Sequence, residues 1–172
     1  MQTALKIISL LLSYPSADLQ AATQDVKTSI AGADGLTGTQ KRLLERLADD
    51  IGGLDLYDAQ ERYVFLFDRT RSLSLHLFEH VHGESRDRGQ AMVDLLAMYE
   101  ADGLSIDAKE MPDYLPLFLE YLSIKPDAEA AELLGQTGHI LKVLRERLKK
   151  RQSVYANAFA VLEALASGEA DP

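Results

Sequence analysis

Apolar residues recur along most of this chain at the three- and four-residue spacing of amphipathic helices. The first such stretch places Ala4, Ile7, Ile8 and Leu11 on one helix face, and similar stripes follow as far as Leu165. No stretch alternates apolar and polar residues in the manner of a half-buried strand. The pattern therefore predicts an all-α fold, a single-domain bundle of about eight or nine helices.

Side chains that can cap helices mark several of the predicted helix starts. Ser16 follows a proline and Asp55 follows a pair of glycines, and each precedes an apolar helical stripe. Asp113 is predicted to cap its own helix in the same way. Pro116 would then occupy the first turn of that helix, where a missing N–H costs little.

Three longer stretches are each predicted to form one helix. The first runs from about 16 to 30, and the second runs from a cap at Thr70 or Ser72 to Val81. The third covers about 127–148. Glycines at two positions within this third stretch are expected to bend the helix without ending it.

Length and composition fit one folded domain. The chain has 172 residues, of which 47% are hydrophobic, and this is enough apolar material for a core. We expect residues 1–172 to form a single domain with frayed ends at 1–4 and 167–172. The longest early apolar run, at 7–12, is too short for a membrane span or a secretory leader, so no membrane insertion is expected.

Charge and absent residue types narrow the function. The chain carries 27 acidic and 18 basic residues, and its net charge of −9 disfavours nucleic acid and favours basic partners. It has no cysteine, which excludes disulfides and thiolate metal sites. No phosphate-binding loop or nucleophile elbow occurs. We therefore expect a protein that holds another polypeptide, not an enzyme, and we expect no cofactor.

A histidine-rich stretch leaves one catalytic alternative open. His76 and His80 lie one helical turn apart and could share a metal ion. Glu79 and His82 have the Glu-x-x-His spacing of di-iron bundles, but the sequence has no second such pair. The alternative hypothesis is a metal-dependent helical-bundle enzyme that uses these four residues.

Three segments, 61–68, 82–89 and 111–121, combine apolar, acidic and basic residues densely. The first has more aromatic residues than one buried helix face can hide, and the third is apolar nearly all round. The glycines and charges of the second indicate a loop that enters a helix and is tied by Arg–carboxylate pairs. Each segment is open to two interpretations, a core and capping role or a surface for a partner.

These segments, in this order, resemble the NarJ family of nitrate reductase chaperones, within the wider TorD/DmsD group of molybdoenzyme chaperones. The resemblance covers roughly Leu5 to Leu148. It is carried by Leu-Leu-Ser-Tyr-Pro at 11–15, Tyr63-Val64 with Phe67-Asp68, Ser74-Leu75 through Gly83, Ser85-Arg86-x-Arg88-Gly89, and Asp113-Tyr114-Leu115-Pro116 followed by Leu119-Glu120-Tyr121. Tyr114 stands where the family usually has histidine, and Tyr121 stands where it usually has phenylalanine.

The resemblance implies a cytoplasmic, all-helical chaperone. Such a protein binds the N-terminal segment of the apo catalytic (alpha) subunit of nitrate reductase. It supports insertion of the molybdenum cofactor and delays membrane docking until the cofactor is in place. The alternatives are a chaperone for a different molybdoenzyme of the same group, or a structural adaptor that binds folded partners. The oligomeric state is left open.

The predicted mechanism is helix-in-groove recognition. A peptide folds into an amphipathic helix, buries its apolar face in the groove and places its basic residues against acidic residues at the rim. The candidate peptide-binding residues are Tyr63, Phe67, Asp68, Leu75, Phe78, Glu79, Asp113, Tyr114, Leu117, Glu120 and Tyr121. The residues expected to shape the loop of the second segment are Gly83, Ser85, Arg86, Arg88 and Gly89.

Overall fold

The computed structural model describes residues 1–107 and 109–169, and this part of the chain contains helices and no β-strand. The α-helices are α1 Gln2–Leu11, α2 Ala17–Ala21, α3 Thr23–Ala31, α4 Gly38–Gly53, α5 Leu56–Tyr63, α6 Leu77–Val81, α7 Asp87–Ala101, α8 Leu115–Ser123, α9 Asp127–Gly135, α10 Gly138–Lys150 and α11 Ala156–Ser167. A π-helical segment, Val64–Asp68, continues α5, and a 3-10 turn, Arg71–Leu73, precedes α6. The all-helical prediction is confirmed.

Two of the predicted helix caps are present. The Ser16 hydroxyl accepts the Leu19 N–H at 3.1 Å, and the Asp55 carboxylate accepts the Tyr57 N–H at 3.0 Å. Each side chain thereby satisfies an amide that has no partner within its helix. Pro116 lies in the first turn of α8, as predicted.

The described helices outnumber the predicted ones because long predicted helices are divided. The stretch at 16–30 breaks at Ala22, between α2 and α3. The stretch at 127–148 breaks between α9 and α10. Apolar spacing could not show this second break, because Leu134 and Ile140, on either side of it, both pack in the core.

The stretch predicted as a helix from Thr70 or Ser72 is α-helical only at its end, Leu77–Val81. Between the 3-10 turn and α6 the chain is extended, and His76 forms an isolated antiparallel bridge with Tyr114. Two backbone hydrogen bonds, of 3.0 and 2.8 Å, flank the bridge. These bonds to a distant segment satisfy the Leu77 N–H and the Leu75 carbonyl oxygen, which a continuous helix would have paired within itself, so the prediction of a continuous helix here is wrong.

The core lies where α1 packs along α8 and where α11 packs against both α10 and α4. Its largest fully buried side chains include Tyr99, Tyr121, Tyr155 and Phe159. Burial of rings of this size contributes much of the apolar stabilisation of a domain. Two of these pairs, α1 with α8 and α4 with α11, join the N-terminal half of the chain to its C-terminal half.

The ends of the described chain are helical, and the expectation that they fray stays a prediction. Residues 2–4 form the first turn of α1, and Ala4 is buried. At the other end, α11 continues to Ser167, and residues 170–172 lie outside the described residues. Within the described ranges, every helix is too short or too polar to cross a bilayer.

Candidate peptide-binding groove

Four residues predicted to line the groove are buried. The exposed fractions of Tyr63, Phe67, Leu75 and Tyr121 are 3%, 4%, 1% and 1%. This corrects their predicted role, because the structure places them in the core. The π-helical segment explains part of the error, since its wider turn shifts the inward face and hides Leu66 and Phe67 together.

Tyr63 and Tyr114 join three parts of the chain through their hydroxyl groups. The Tyr63 hydroxyl donates to the Leu12 carbonyl oxygen at 2.7 Å, and the hydroxyls of Tyr63 and Tyr114 are hydrogen-bonded to each other. Because the Tyr63 proton is used on Leu12, Tyr114 is the donor between the two rings. Burial raises the pKa of Tyr63, and the nearby Tyr114 raises it further, so this hydroxyl stays protonated.

Asp113 is fully buried, and its carboxylate binds the start of α6. One oxygen accepts the Phe78 N–H at 3.0 Å, and the other lies 3.4 Å from Nδ1 of His76. Helix α8 begins after Tyr114 without a side-chain cap. The prediction that Asp113 caps its own helix is therefore wrong, and its contacts instead fix the short helix that carries Phe78.

The histidine-rich stretch does not form a metal site. His76 pairs with Asp113, and Nε2 of His80 lies 2.7 Å from the carbonyl oxygen of Ser74. Glu79 lies 3.7 Å from the guanidinium of Arg88. Over residues 1–107 and 109–169, no three His, Asp or Glu side chains are placed to share a metal ion. The alternative of a metal-dependent bundle enzyme thus finds no ligand set there.

The loop after α6 is held by its own backbone and by Arg88. Gly83 has a φ of +56°, a conformation that favours glycine. Arg88 donates to the Gly83 carbonyl oxygen at 3.4 Å, and the Ser85 hydroxyl accepts an N–H at the start of α7 at 3.2 Å. Arg86 and Gly89 are exposed. These contacts hold the loop that connects α6 to α7.

An open apolar groove of about 330 Å³ lies beside α6 and α7. Val81 and Met98 are 52% and 38% exposed at its mouth. The apolar side chains that wall it are Leu77, Phe78, Val81, Ala91, Leu95, Met98, Phe118, Leu133 and Ile140. Phe78 is therefore the one predicted peptide-binding residue among the described residues lining this groove.

The sequence held one signal for the remaining groove residues. In α7, Met92, Val93, Leu95 and Met98 point in more directions than one buried face requires. In the structure α7 buries Leu95 and leaves Met98 partly exposed at the groove, whereas Val93 is exposed and does not line it. Apolar residues spread around a helix that packs on one side indicate a surface available to a partner.

The other predicted residues lie outside the groove. Asp68 and Glu79 border a polar depression of about 420 Å³, and Glu79 is on the face of α6 opposite Leu77. The Glu120 carboxylate accepts a hydrogen bond from Lys6 at 2.9 Å, between α1 and α8. Leu117 packs partly buried against the core. The predicted acidic rim is therefore not one continuous surface.

The arrangement of helices defines the class of protein first. The crystal structure of an Archaeoglobus fulgidus protein assigned to redox enzyme maturation matches with a TM-score of 0.69. The match covers 97% of this chain and 94% of that one, at 20% sequence identity. At this level of identity, the likeness shows that the two proteins share one all-helical fold.

Sequence comparisons then show the family. The family model described as nitrate reductase delta subunit matches residues 32–161. NarJ of Escherichia coli K12, a nitrate reductase molybdenum cofactor assembly chaperone, is 48% identical over 97% of this chain and 71% of NarJ. NarW of the same strain, assigned the same role, is 46% identical over 94% of this chain and 67% of NarW. The chain belongs to the nitrate reductase delta subunit family, and the resemblance noted from its motifs is confirmed.

Proposed function

We propose that this chain is a cytoplasmic assembly chaperone that binds the N-terminal segment of the apo catalytic subunit of nitrate reductase. Binding would keep that subunit competent for molybdenum cofactor insertion and would time its docking at the membrane. Two relatives that match nearly the whole chain are named as nitrate reductase molybdenum cofactor assembly chaperones, which supports the chaperone part of the proposal. The observation that carries the peptide-binding part is the open apolar groove beside α6 and α7.

The groove suits one face of a peptide helix. A helix with its side chains is about 10 Å wide, so a space of about 330 Å³ receives several apolar side chains while the helix lies above it. The partly exposed Val81 and Met98 would be covered in the complex. Burial of apolar surface contributes about 25 cal/mol per Å², which supplies the main attraction.

The α6 wall of the groove is fixed before the peptide arrives. Helix α6 is tied to the segment before α8 by the Asp113 carboxylate and by the backbone bonds that flank the bridge. Phe78 is thereby held at the groove without a change in the core. A wall that is already ordered adds little entropy cost on binding, so most of that cost falls on the peptide.

Calorimetric titration with a synthetic peptide of the catalytic subunit N-terminus tests the proposal. Met98→Asn should weaken binding about tenfold or more, because it replaces a buried apolar contact with a polar group. Val93→Asn is the matched control. Val93 lies on the same helix and is 61% exposed but does not line the groove. The Val93→Asn variant should therefore bind the peptide as tightly as the unsubstituted chain does.

Two results would contradict the proposal. Equal affinities for the Met98→Asn and Val93→Asn variants would exclude this groove as the binding site. Absence of binding by the unsubstituted chain would exclude the client. Tighter binding of a peptide from another molybdoenzyme would favour the alternative of a chaperone for that enzyme.

A further inference from the structure

The apolar groove contains one charged side chain among its described lining residues. Asp94 lies on α7, in the same wall as Leu95 and Met98. It is exposed, and none of the ion pairs found over residues 1–107 and 109–169 includes it. Its carboxylate accepts a hydrogen bond from the Gln90 side-chain amide at 2.8 Å, which leaves its negative charge uncompensated.

Three of the acidic residues that the sequence predicted for the rim are already engaged. Glu79 lies near Arg88, Glu120 pairs with Lys6, and the Asp113 carboxylate binds an amide and a histidine. Asp94 differs from all three because its charge faces the space that a partner would fill. A peptide that covers the groove must therefore remove water from this carboxylate.

Removing water from a carboxylate is unfavourable unless a cation or a donor replaces that water. A lysine or arginine on the covering helix would replace it. An acidic or apolar residue at the same position would leave the charge buried and unpaired. The requirement depends on position, unlike the attraction that the net charge of −9 exerts on any basic peptide.

We infer that Asp94 is a specificity-determining residue that pairs with a lysine or arginine of the client peptide and fixes the register of its helix in the groove. This inference rests on the proposed function. The basic residue lies next to the apolar stripe of the client helix, so that its side chain reaches Asp94 while the stripe contacts Phe78 and Met98.

A pair of matched variants tests the inference by calorimetry with the same synthetic peptide. Asp94→Asn should raise the Kd about fivefold, because it removes the charge and keeps a similar shape. Glu100→Gln removes one negative charge from the same helix at an exposed position away from the groove, and it should change the Kd less than about twofold. Thermal melting of each free variant checks that the fold is intact.

Charge reversal identifies the partner residue. Asp94→Lys should bind the unchanged peptide more weakly than Asp94→Asn does. Peptides in which each lysine or arginine is replaced in turn by glutamate are then titrated into Asp94→Lys. One such peptide should regain most of the lost affinity, while the other replacements should not.

The outcomes separate this inference from the proposed function. If Met98→Asn weakens binding but Asp94→Asn behaves like Glu100→Gln, the role of Asp94 is overturned and the groove stands. If no reversed peptide recovers affinity with Asp94→Lys, the register role is overturned. If Met98→Asn also binds normally, the groove itself is excluded.

Discussion

At the scale of single residues, the buried carboxylate of Asp113 makes the most consequential contacts. It accepts a backbone N–H from Phe78, which lies 35 residues away, and it contacts His76. A fully buried carboxylate is costly to leave unpaired, so the two donors that satisfy it help to hold the fold together. The side chain also determines where Phe78 enters the groove, so one residue links stability to the proposed binding surface.

Asp113→Ala should lower the free energy of unfolding by about 2–3 kcal/mol, because it leaves the Phe78 N–H without its charged acceptor and removes the partner of His76. Urea unfolding followed by circular dichroism measures the change. Asp34→Ala is the control at an exposed loop position, where we expect a change within about 0.5 kcal/mol. Equal unfolding curves for both variants would show that the Asp113 contacts contribute nothing.

The ion pair with Asp113 also makes stability depend on pH. Hydrogen bonding to Asp113 raises the pKa of His76, and Glu79 adds to this, while partial burial and Arg88 act in the opposite direction. A raised pKa in the folded state means that protonated His76 stabilises the fold. This contribution is complete below the ordinary histidine pKa of about 6.5 and is lost as the pH rises through the folded value.

His76→Gln should therefore cost more stability near pH 6 than near pH 8.5, a range of about two and a half units around the expected titration. Urea unfolding at a series of pH values measures the difference from the unsubstituted chain. His139→Gln, at an exposed position on α10, is the control and should show no such trend. A difference that stays constant across the series would contradict the assigned role of His76.

At the scale of elements, the sequence predicted the helices whose bounds are set by neighbouring residues. Ser16 and Asp55 revealed their helix starts because a cap acts within one turn. The extended segment at His76 could not be predicted in this way, since it depends on bonds to Tyr114 and its neighbours. The groove was only partly predictable for the same reason: Phe78 reaches it through contacts that no local pattern records.

Helix α7, which walls the groove, buries few of its side chains. Along its 15 residues, Leu95 and Tyr99 are buried. Tyr99 anchors the C-terminal end of α7, because its hydroxyl donates to the Pro112 carbonyl oxygen at 2.7 Å. The rest of the helix faces the groove or solvent. Segments with few buried contacts open locally at low free energy, so α7 should respond most to a bound peptide.

Hydrogen exchange should therefore slow in α7 when peptide is added. At saturating peptide we expect at least about a tenfold decrease in exchange rate over the part of α7 that carries Asp94 and Met98. Mass spectrometry of deuterated fragments measures the change. Helix α4 packs against α3 and α11 and serves as the internal control. A uniform decrease across the chain, or one confined to α3, would place the peptide elsewhere.

At the scale of the whole molecule, charge and apolar surface have separate effects on a partner. The net charge of −9 raises the encounter rate with basic peptides. Salt at 0.1 M screens this attraction at distances beyond about 10 Å. The apolar groove then supplies the attraction that salt does not remove. Two such contributions would allow moderate affinity with ready release, as the proposed transfer of a client peptide requires.

Because the peptide would bind the folded chain alone, it should raise the melting temperature. At a free peptide concentration near 100 times the Kd, the added stability is about 2.7 kcal/mol. For a domain of this size, that corresponds to an increase of about 5–10 °C. Differential scanning calorimetry measures the shift. A peptide of the same composition with its apolar stripe scrambled should give little shift, and Met98→Asn should give a smaller one. An unchanged melting temperature at saturating peptide, together with no heat of binding, would rule out the N-terminal segment as the client.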